Sequence, residues 1–110
     1  MKVKKVSIGH MKDFPVQAGK KVHVNGVEIA VFRLLNGDIR AVENRCPHRG
    51  GPLSEGMVSG DFVFCPLHEY KVDLCDGQVQ EPDAGCVRTY PVEVEGDEVK
   101  ICLVEEKVGV

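Results

Sequence analysis

Two short motifs of metal-binding residues constrain this chain more than any other feature of its sequence. Cys46 and His48 form a C-x-H pair, and Cys65 and His68 form a C-x-x-H pair, with sixteen residues between the two pairs. Two thiolates and two imidazoles are the ligand set of one kind of [2Fe–2S] cluster, in which both cysteines bind one iron and both histidines the other. The spacing therefore predicts two loops that close over one metal centre.

The same four residues leave a second interpretation open, because Cys₂His₂ is also a common ligand set for a structural zinc. A C-x-H pair is less usual in such a zinc site. Pro47 and Pro66 follow the two cysteines, and Gly50 and Gly51 follow the first histidine. Proline fixes the backbone, and glycine lets backbone N–H groups approach a sulfur closely, so this arrangement favours a shaped cradle for an iron–sulfur cluster.

Length and charge limit what the rest of the chain can do. The 110 residues predict one domain, and the net charge is −3 with no basic patch, which argues against a nucleic-acid or membrane partner. The first fourteen residues contain no continuous apolar stretch, so we expect neither a secretory signal nor a membrane span, and a cytoplasmic location. In that compartment the five cysteines favour metal binding over a disulfide framework.

Short runs rich in β-branched residues, separated by turn residues, predict an all-β fold without a helix of any length. Asn25-Gly26 and Asn36-Gly37 each lie between two such runs, and Asn-Gly is the strongest short signal for a β-hairpin. We therefore expect an antiparallel meander through this part of the chain. The predicted strands cover residues 3–8, 20–24, 27–34, 38–42, 61–64, 87–94 and 99–104.

The change from strand-like to loop-like sequence predicts how the single domain, 1–110, is arranged. A base sheet is expected from residues of about 1–42 and 85–110, and the metal-binding loops from an inserted subdomain of about 43–84. The insert is rich in proline, glycine and charged residues, which favour turns over long strands. The sequence contains no internal repeat and no linker between domains.

The segments CPHRGGPL and CPLHEYKVD resemble the two cluster-binding loops of Rieske proteins, and the β layout extends this resemblance over most of the chain. It implies a Rieske-type antiparallel β-sandwich or partial barrel. It also implies one [2Fe–2S] cluster held by Cys46, His48, Cys65 and His68. More narrowly, residues 41–94 resemble the small subunit of NAD(P)H-dependent assimilatory nitrite reductase. In that family the partner is a large catalytic subunit with flavin and siroheme, which reduces nitrite to ammonia in nitrate assimilation.

Two other functions stay open beside an electron-transfer subunit of nitrite reductase. Many small subunits of that family lack the four ligands, whereas this chain has all of them, which keeps a stand-alone Rieske ferredoxin of a ring-hydroxylating dioxygenase system in consideration. A structural zinc or interaction module is the third. The chain has no nucleotide-binding or catalytic motif, so we expect no active site of its own and no NAD(P)H binding.

Respiratory Rieske proteins differ from this sequence at four informative positions. They carry an extra, disulfide-forming cysteine in each loop, where this chain has Gly51 and Leu67. They also carry hydroxyl donors where it has Tyr70 and Val72. The resemblance therefore implies a carrier without that disulfide and with a lower potential than the respiratory type, because hydrogen bonds to the cluster sulfurs help to set the potential.

The remaining polar residues receive simpler interpretations. Cys75 and Cys86 could form a disulfide, but free, partly buried thiols are expected, and Cys102 is expected to pack within a strand. Near the loops, cationic side chains could contact an acidic partner or could simply be solvated. The remaining residues of interest are the cations Arg45, Arg49 and Lys71, the surface histidines His10 and His23, and the turn residues Asp73, Asp76, Glu81 and Asp83.

Overall fold

The computed structural model describes residues 2–24, 26–45, 51–66, 70–80 and 85–105. The only helical segments in these ranges are two three-residue 3₁₀ turns, Met11–Asp13 and Leu53–Glu55, and neither is long or apolar enough to cross a membrane. The strands are β1 (Lys2–His10), β2 (Gly19–Val24), β3 (Val27–Arg33), β4 (Ile39–Glu43), β5 (Met57–Ser59), β6 (Phe62–Phe64), β7 (Lys71–Asp73), β8 (Thr89–Tyr90), β9 (Val92–Glu95) and β10 (Glu98–Glu105).

The strands form three antiparallel sheets, which confirms the predicted all-β class. Their strand orders are β1-β10-β9, β2-β3-β4-β8 and β5-β6-β7. The predicted meander is also confirmed, because β2, β3 and β4 pair in sequence, with the five residues 34–38 connecting β3 to β4. Gly26 and Gly37 have φ angles of +79° and +95° in the two connections, a region that glycine enters without steric cost.

Strand β3 is buried on both of its faces, which makes its sheet the middle of three layers. Ile29 and Val31 point into one apolar core, and Ala30 and Phe32 point into another, as the two-residue period of a strand requires. The outer sheet, β1-β10-β9, completes the first core. The small sheet, β5-β6-β7, completes the second. The main partners are Val99 and Ile101 on the first side, and Leu53, Val63 and Val72 on the second.

The single strand predicted over residues 87–94 is wrong, because the chain there divides at Pro91. Strand β8 pairs with β4 in the middle sheet, whereas β9 pairs with β10 in the outer sheet. Proline has no N–H to donate to a ladder, so a break at this position costs no backbone hydrogen bond. At this break the chain passes from the middle sheet to the outer sheet.

Strands β5 and β7 were not predicted, because three residues are too few to show an alternating pattern. They form because they pair with β6, which places Val58 and Val72 opposite Val63. This small sheet lies inside the predicted insert of about 43–84. Its apolar side chains nevertheless share one core with β3, so the proposed division of the domain at residues 43 and 84 stays a prediction.

Candidate metal centre

The chain that leaves the first predicted metal loop lies beside the chain that enters the second. Met57 of β5 pairs with Phe64 of β6, the residue directly before Cys65. Gly56 packs so closely against the carbonyl oxygen of Phe64 that no side chain would fit there. The two loops are therefore attached to the same edge of the small sheet, although they are separated in sequence.

Cys65 is the predicted ligand that the structure describes, and its surroundings fit a soft metal ligand. Its side chain is 1% exposed and packs in the apolar core with Leu53 and Val63. Its backbone N–H donates to the carbonyl oxygen of Tyr70 at 2.8 Å, directly beyond the paired residues Phe64 of β6 and Lys71 of β7. The apolar core therefore covers the inner side of Cys65, and this hydrogen bond helps to fix its backbone.

The outer side of Cys65 borders a cleft of about 520 Å³ that opens to solvent. Met57 stands at this cleft with 76% of its surface exposed, although methionine is usually buried. Cys65 thus lies where the core meets the surface. The cleft is lined by Glu55, Gly56, Met57, Phe64, Cys65 and Pro66.

The other three predicted ligands, Cys46, His48 and His68, lie outside the described residues. Within the described ranges, no group of three or more His, Cys, Asp or Glu side chains could hold a metal ion. The four-ligand set therefore stays a prediction, supported by the burial of Cys65 and by the convergence of the two loop ends.

Asn44 is a site residue that the sequence analysis missed. It is 6% exposed and is the one buried polar residue in the part of the chain that the structure describes. Its Oδ1 accepts from the backbone N–H of Ser54 at 2.7 Å, and its Nδ2 donates to Oε1 of Glu28 at 2.7 Å. It joins the two ends of the first loop. An asparagine before a Pro- and Gly-rich segment is typical of a turn. The only sequence signal for a role of Asn44 in the site is its position two residues before Cys46.

The 3₁₀ turn that follows the first loop is packed directly against the middle sheet. A Cβ added to Gly19 of β2 would lie 2.7 Å from Cε1 of Phe32 and closer still to the carbonyl oxygen of Ser54. Leu53 of the same turn is fully buried. The absence of a side chain at Gly19 therefore allows the turn to approach the sheet.

The cysteines outside the motifs are free thiols, as predicted, but two of them are more exposed than expected. Cys75 and Cys86 are both exposed, so the expectation of partial burial is wrong for them. Cys75 lies in a turn after β7, and Cys86 pairs with Gln78 in an isolated β-bridge. Cys102 is half-buried in β10, and its predicted role in packing stays a prediction.

Lys71, Asp73 and Asp76, which lie near the loops, have ordinary structural partners. The ammonium of Lys71 lies 4.2 Å from the ring centroid of Phe62, which is a cation–π distance, and Arg45 is exposed. Asp73 and Asp76 accept backbone N–H groups two residues further on, at 2.7 and 2.9 Å, which confirms their turn role. Arg49, Glu81 and Asp83 lie outside the described residues.

The two remaining histidines are surface residues beside carboxylates, as the sequence predicts. His10 Nδ1 lies 3.5 Å from Oδ1 of Asp97, and His23 Nε2 lies 3.4 Å from Oε2 of Glu28. Both side chains are more than half exposed. They are separate from the predicted metal motifs.

Comparison with known proteins gives a family match over most of the chain. The family model for the Rieske [2Fe–2S] domain matches residues 4–91. The ferredoxin component of a naphthalene 1,2-dioxygenase system from Pseudomonas aeruginosa is 37% identical over 83 residues, which cover 74% of this chain and 79% of that protein.

Solved structures of similar fold include proteins assigned to nitrite reduction. One, assigned as an NADH-dependent nitrite reductase small subunit from Mycobacterium tuberculosis, has a TM-score of 0.89 and 23% identity, with 96% of this chain and 100% of that chain covered. A second, assigned as the small subunit of an NADPH nitrite reductase, has a TM-score of 0.80 and 26% identity, with coverage of 89% and 97%.

Proposed function

Because this chain belongs to the Rieske [2Fe–2S] domain family, we propose that Cys46, His48, Cys65 and His68 hold its cluster between the two loops. The protein is a Rieske electron-transfer protein, and its cofactor is a [2Fe–2S] cluster. The observation that carries the ligand assignment is the burial of Cys65 at the point where the ends of the two loops meet. When bound, the cluster supplies a site that gains and loses one electron.

The residues around Cys65 support this function because they keep water from its core side and leave its other side beside an open cleft. The core side of Cys65 is closed by Leu53 and Val63, which keep water from the sulfur. The other side borders the open cleft beside Met57. An electron can therefore pass to a partner protein without substrate entering the fold, and no active site for a small molecule is required in this chain.

The first candidate partner is the oxygenase component of a ring-hydroxylating dioxygenase system. The observation that favours it is the 37% identity to a ferredoxin component of such a system, across most of both chains. Possession of both cysteines and both histidines also suits a free-standing carrier, which cannot function without its cluster. A cytoplasmic location agrees with this role and is part of the proposal.

The second candidate is the large catalytic subunit of a nitrite reductase. It is favoured by residues 41–94, which resemble the small subunit of that enzyme, and by the similarity to a structure assigned to the same role at 26% identity. In this case the protein would reside in a stable complex rather than diffuse between partners.

The ligand assignment is tested by replacing predicted ligands and one matched cysteine. Wild-type protein is expected to bind about two irons and two acid-labile sulfides per chain, with visible absorbance that dithionite bleaches reversibly. Cys65→Ser and His48→Ala should each lose at least about nine-tenths of this iron and sulfide, because a cluster with a missing ligand is not retained. Cys75→Ser, at an exposed thiol on a nearby turn, should keep the wild-type content.

Loss of the cluster in Cys75→Ser, or its retention in Cys65→Ser, would contradict the ligand assignment. Zinc without sulfide in wild-type protein would instead support the structural zinc site. The partner is tested by mixing dithionite-reduced protein, freed of excess reductant, with either candidate acceptor. Rapid reoxidation by an oxygenase component but not by a siroheme-containing large subunit would favour the first candidate, and co-purification with the large subunit would favour the second.

A further inference from the structure

We infer that Asn44 is a positioning residue that fixes the first metal loop, and that its hydrogen bonds set how firmly the cluster is held and at what potential it is reduced. This inference rests on the proposed function, because it takes Cys46 and His48 to be ligands. Asn44 lies two residues before Cys46, and Ser54 lies six residues after His48. A contact between Asn44 and Ser54 therefore closes the segment that contains both ligands.

The hydrogen bonds of Asn44 connect the middle sheet to the end of the first metal loop. Its backbone N–H donates to the carbonyl oxygen of Glu28 at 3.1 Å, and its Nδ2 donates to Oε1 of Glu28 at 2.7 Å. Its Oδ1 accepts from the N–H of Ser54 at 2.7 Å. Both the oxygen and the nitrogen of the Asn44 side-chain amide are thus hydrogen-bonded. The amide has one orientation that satisfies both partners, because Glu28 can only accept and the Ser54 N–H can only donate.

Burial makes these hydrogen bonds important for the geometry of the loop. Asn44 is 6% exposed, so water cannot easily replace a partner that is removed. An unsatisfied polar group in such a place is costly, and the loop would move to relieve it. Glu28 is half-buried near the start of β3, and the next four residues of that strand, 29–32, are buried, so the hydrogen bonds begin beside the buried part of the middle sheet.

Packing against β2 also fixes the position of Ser54. The hydrogen bond between Ser54 and Asn44 therefore sets the distance between the two ends of the first metal loop. The 3₁₀ turn around Ser54 lies against Gly19 of β2 without room for a side chain. The loop therefore begins at Asn44 and ends at a turn whose place is set by packing. Removal of a hydrogen-bond partner that orients a metal ligand typically changes metal affinity by about 10- to 100-fold, and we expect an effect of this order when the loop that contains two ligands loses the contact with Asn44.

The test uses Asn44→Ala and Asn44→Asp in the cluster-containing protein. Asn44→Ala removes both side-chain hydrogen bonds, and Asn44→Asp keeps the acceptor for Ser54 but places a carboxylate against Glu28. In both variants we expect the rate of cluster loss to a chelator to rise about 10- to 100-fold and the midpoint potential to shift from the wild-type value. Asn36→Ala is the matched control, because Asn36 also makes side-chain hydrogen bonds, but in the exposed turn between β3 and β4.

A double variant separates positioning from general stability. In Asn44→Asp combined with Glu28→Gln, the introduced amide can donate to the introduced carboxylate, which still accepts from the Ser54 N–H, so the direction of one hydrogen bond is reversed and none is lost. We expect this double variant to recover wild-type cluster retention and midpoint potential. A residue with only a general structural role would change thermal stability without changing the potential.

Unchanged cluster loss and unchanged potential in Asn44→Ala would overturn the inference, and so would a double variant no better than Asn44→Asp alone. Hydrogen exchange at the Ser54 amide tests the contact without the cluster. In cluster-free protein that amide should exchange at least about tenfold faster in Asn44→Ala than in wild type, while amides of β3 stay protected. Wild-type protein that takes up no iron and sulfide would defeat the proposed function, whereas an unchanged Ser54 amide would defeat the inference.

Discussion

Tyr90 shows how the fold changes the acid–base behaviour of a single residue. Its side chain is half-buried at the end of the middle sheet, in a cleft shared with Leu74 and Cys75. Burial raises the pKa of the Tyr90 hydroxyl above its usual value, and the nearby Arg88 guanidinium opposes this shift without cancelling it. The folded protein therefore favours the neutral phenol.

Tyr90→Phe tests this shift through the pH dependence of stability. Because the folded pKa is raised, the contribution of the neutral phenol is fully present below the unfolded value of about 10 and is lost as pH rises through the folded pKa. Wild type should therefore lose stability relative to Tyr90→Phe only above about pH 10. Urea unfolding of both proteins at pH 7 to 11.5 measures this difference. A difference in stability that stays constant over that range would contradict the assignment.

The residues of the candidate site differ in how far the sequence could predict them. The spacing identifies Cys65, because thiolate and imidazole ligands have few other uses in this pattern, and the structure shows that Cys65 is buried. Asn44 could not be identified in this way. Its role depends on Glu28, sixteen residues earlier, and on Ser54, ten residues later, and a partnership across two strands and a turn has no local pattern.

The 3₁₀ turn at Leu53–Glu55 is the element that connects the middle sheet to the metal loops. It contacts β2 at Gly19, where φ is not in the left-handed region, so the glycine is needed for space alone. The turn carries Leu53 into the core and presents the Ser54 N–H to Asn44. A substitution in β2 can therefore shift the end of the first metal loop, because the 3₁₀ turn packs against β2.

Gly19→Ala should destabilise the fold by about 1–3 kcal/mol, because the added methyl forces the turn away from β2. It should also increase the rate of cluster loss, because the end of the first loop moves with Ser54. Gly60→Ala is the control: Gly60 has a φ angle of +59° and open space around it, so alanine costs about 1–2 kcal/mol of backbone strain far from that contact.

Chemical unfolding and cluster release into a chelator are the two measurements for this pair. We expect similar losses of stability in both variants but faster cluster release in Gly19→Ala alone. Equal release rates in the two variants would show that the contact between β2 and the turn does not affect the metal loops.

The strands of five or more residues were predictable here, and among the shorter ones β6 was predicted but β5 and β7 were not. The hairpins of β2, β3 and β4 follow from local turn chemistry at two Asn-Gly pairs, which fixes register without help from the rest of the fold. The division at Pro91 and the strands β5 and β7 depend on pairing with distant partners instead. Their sequences contain too few residues to show any period.

At the scale of the whole molecule, β3 joins the two cores. Ile29 and Val31 face one core, and Ala30 and Phe32 face the other, so neither core can form fully without this strand. The sequence predicted the class but not this arrangement in layers. A run of apolar residues shows that both faces are buried and does not show which sheet covers each face.

The ladder between β1 and β10 determines how the molecule responds to force. Lys2 pairs with Glu105, and the pairing continues to His10 and Glu98, so the two outer ends of the ladder lie side by side. Tension applied between Lys2 and Glu105 acts across the strands and opens the pairs one after another, like a zip, instead of shearing all of them at once. We therefore expect the pairing of β1 with β10, in the outer sheet, to open before the other two sheets.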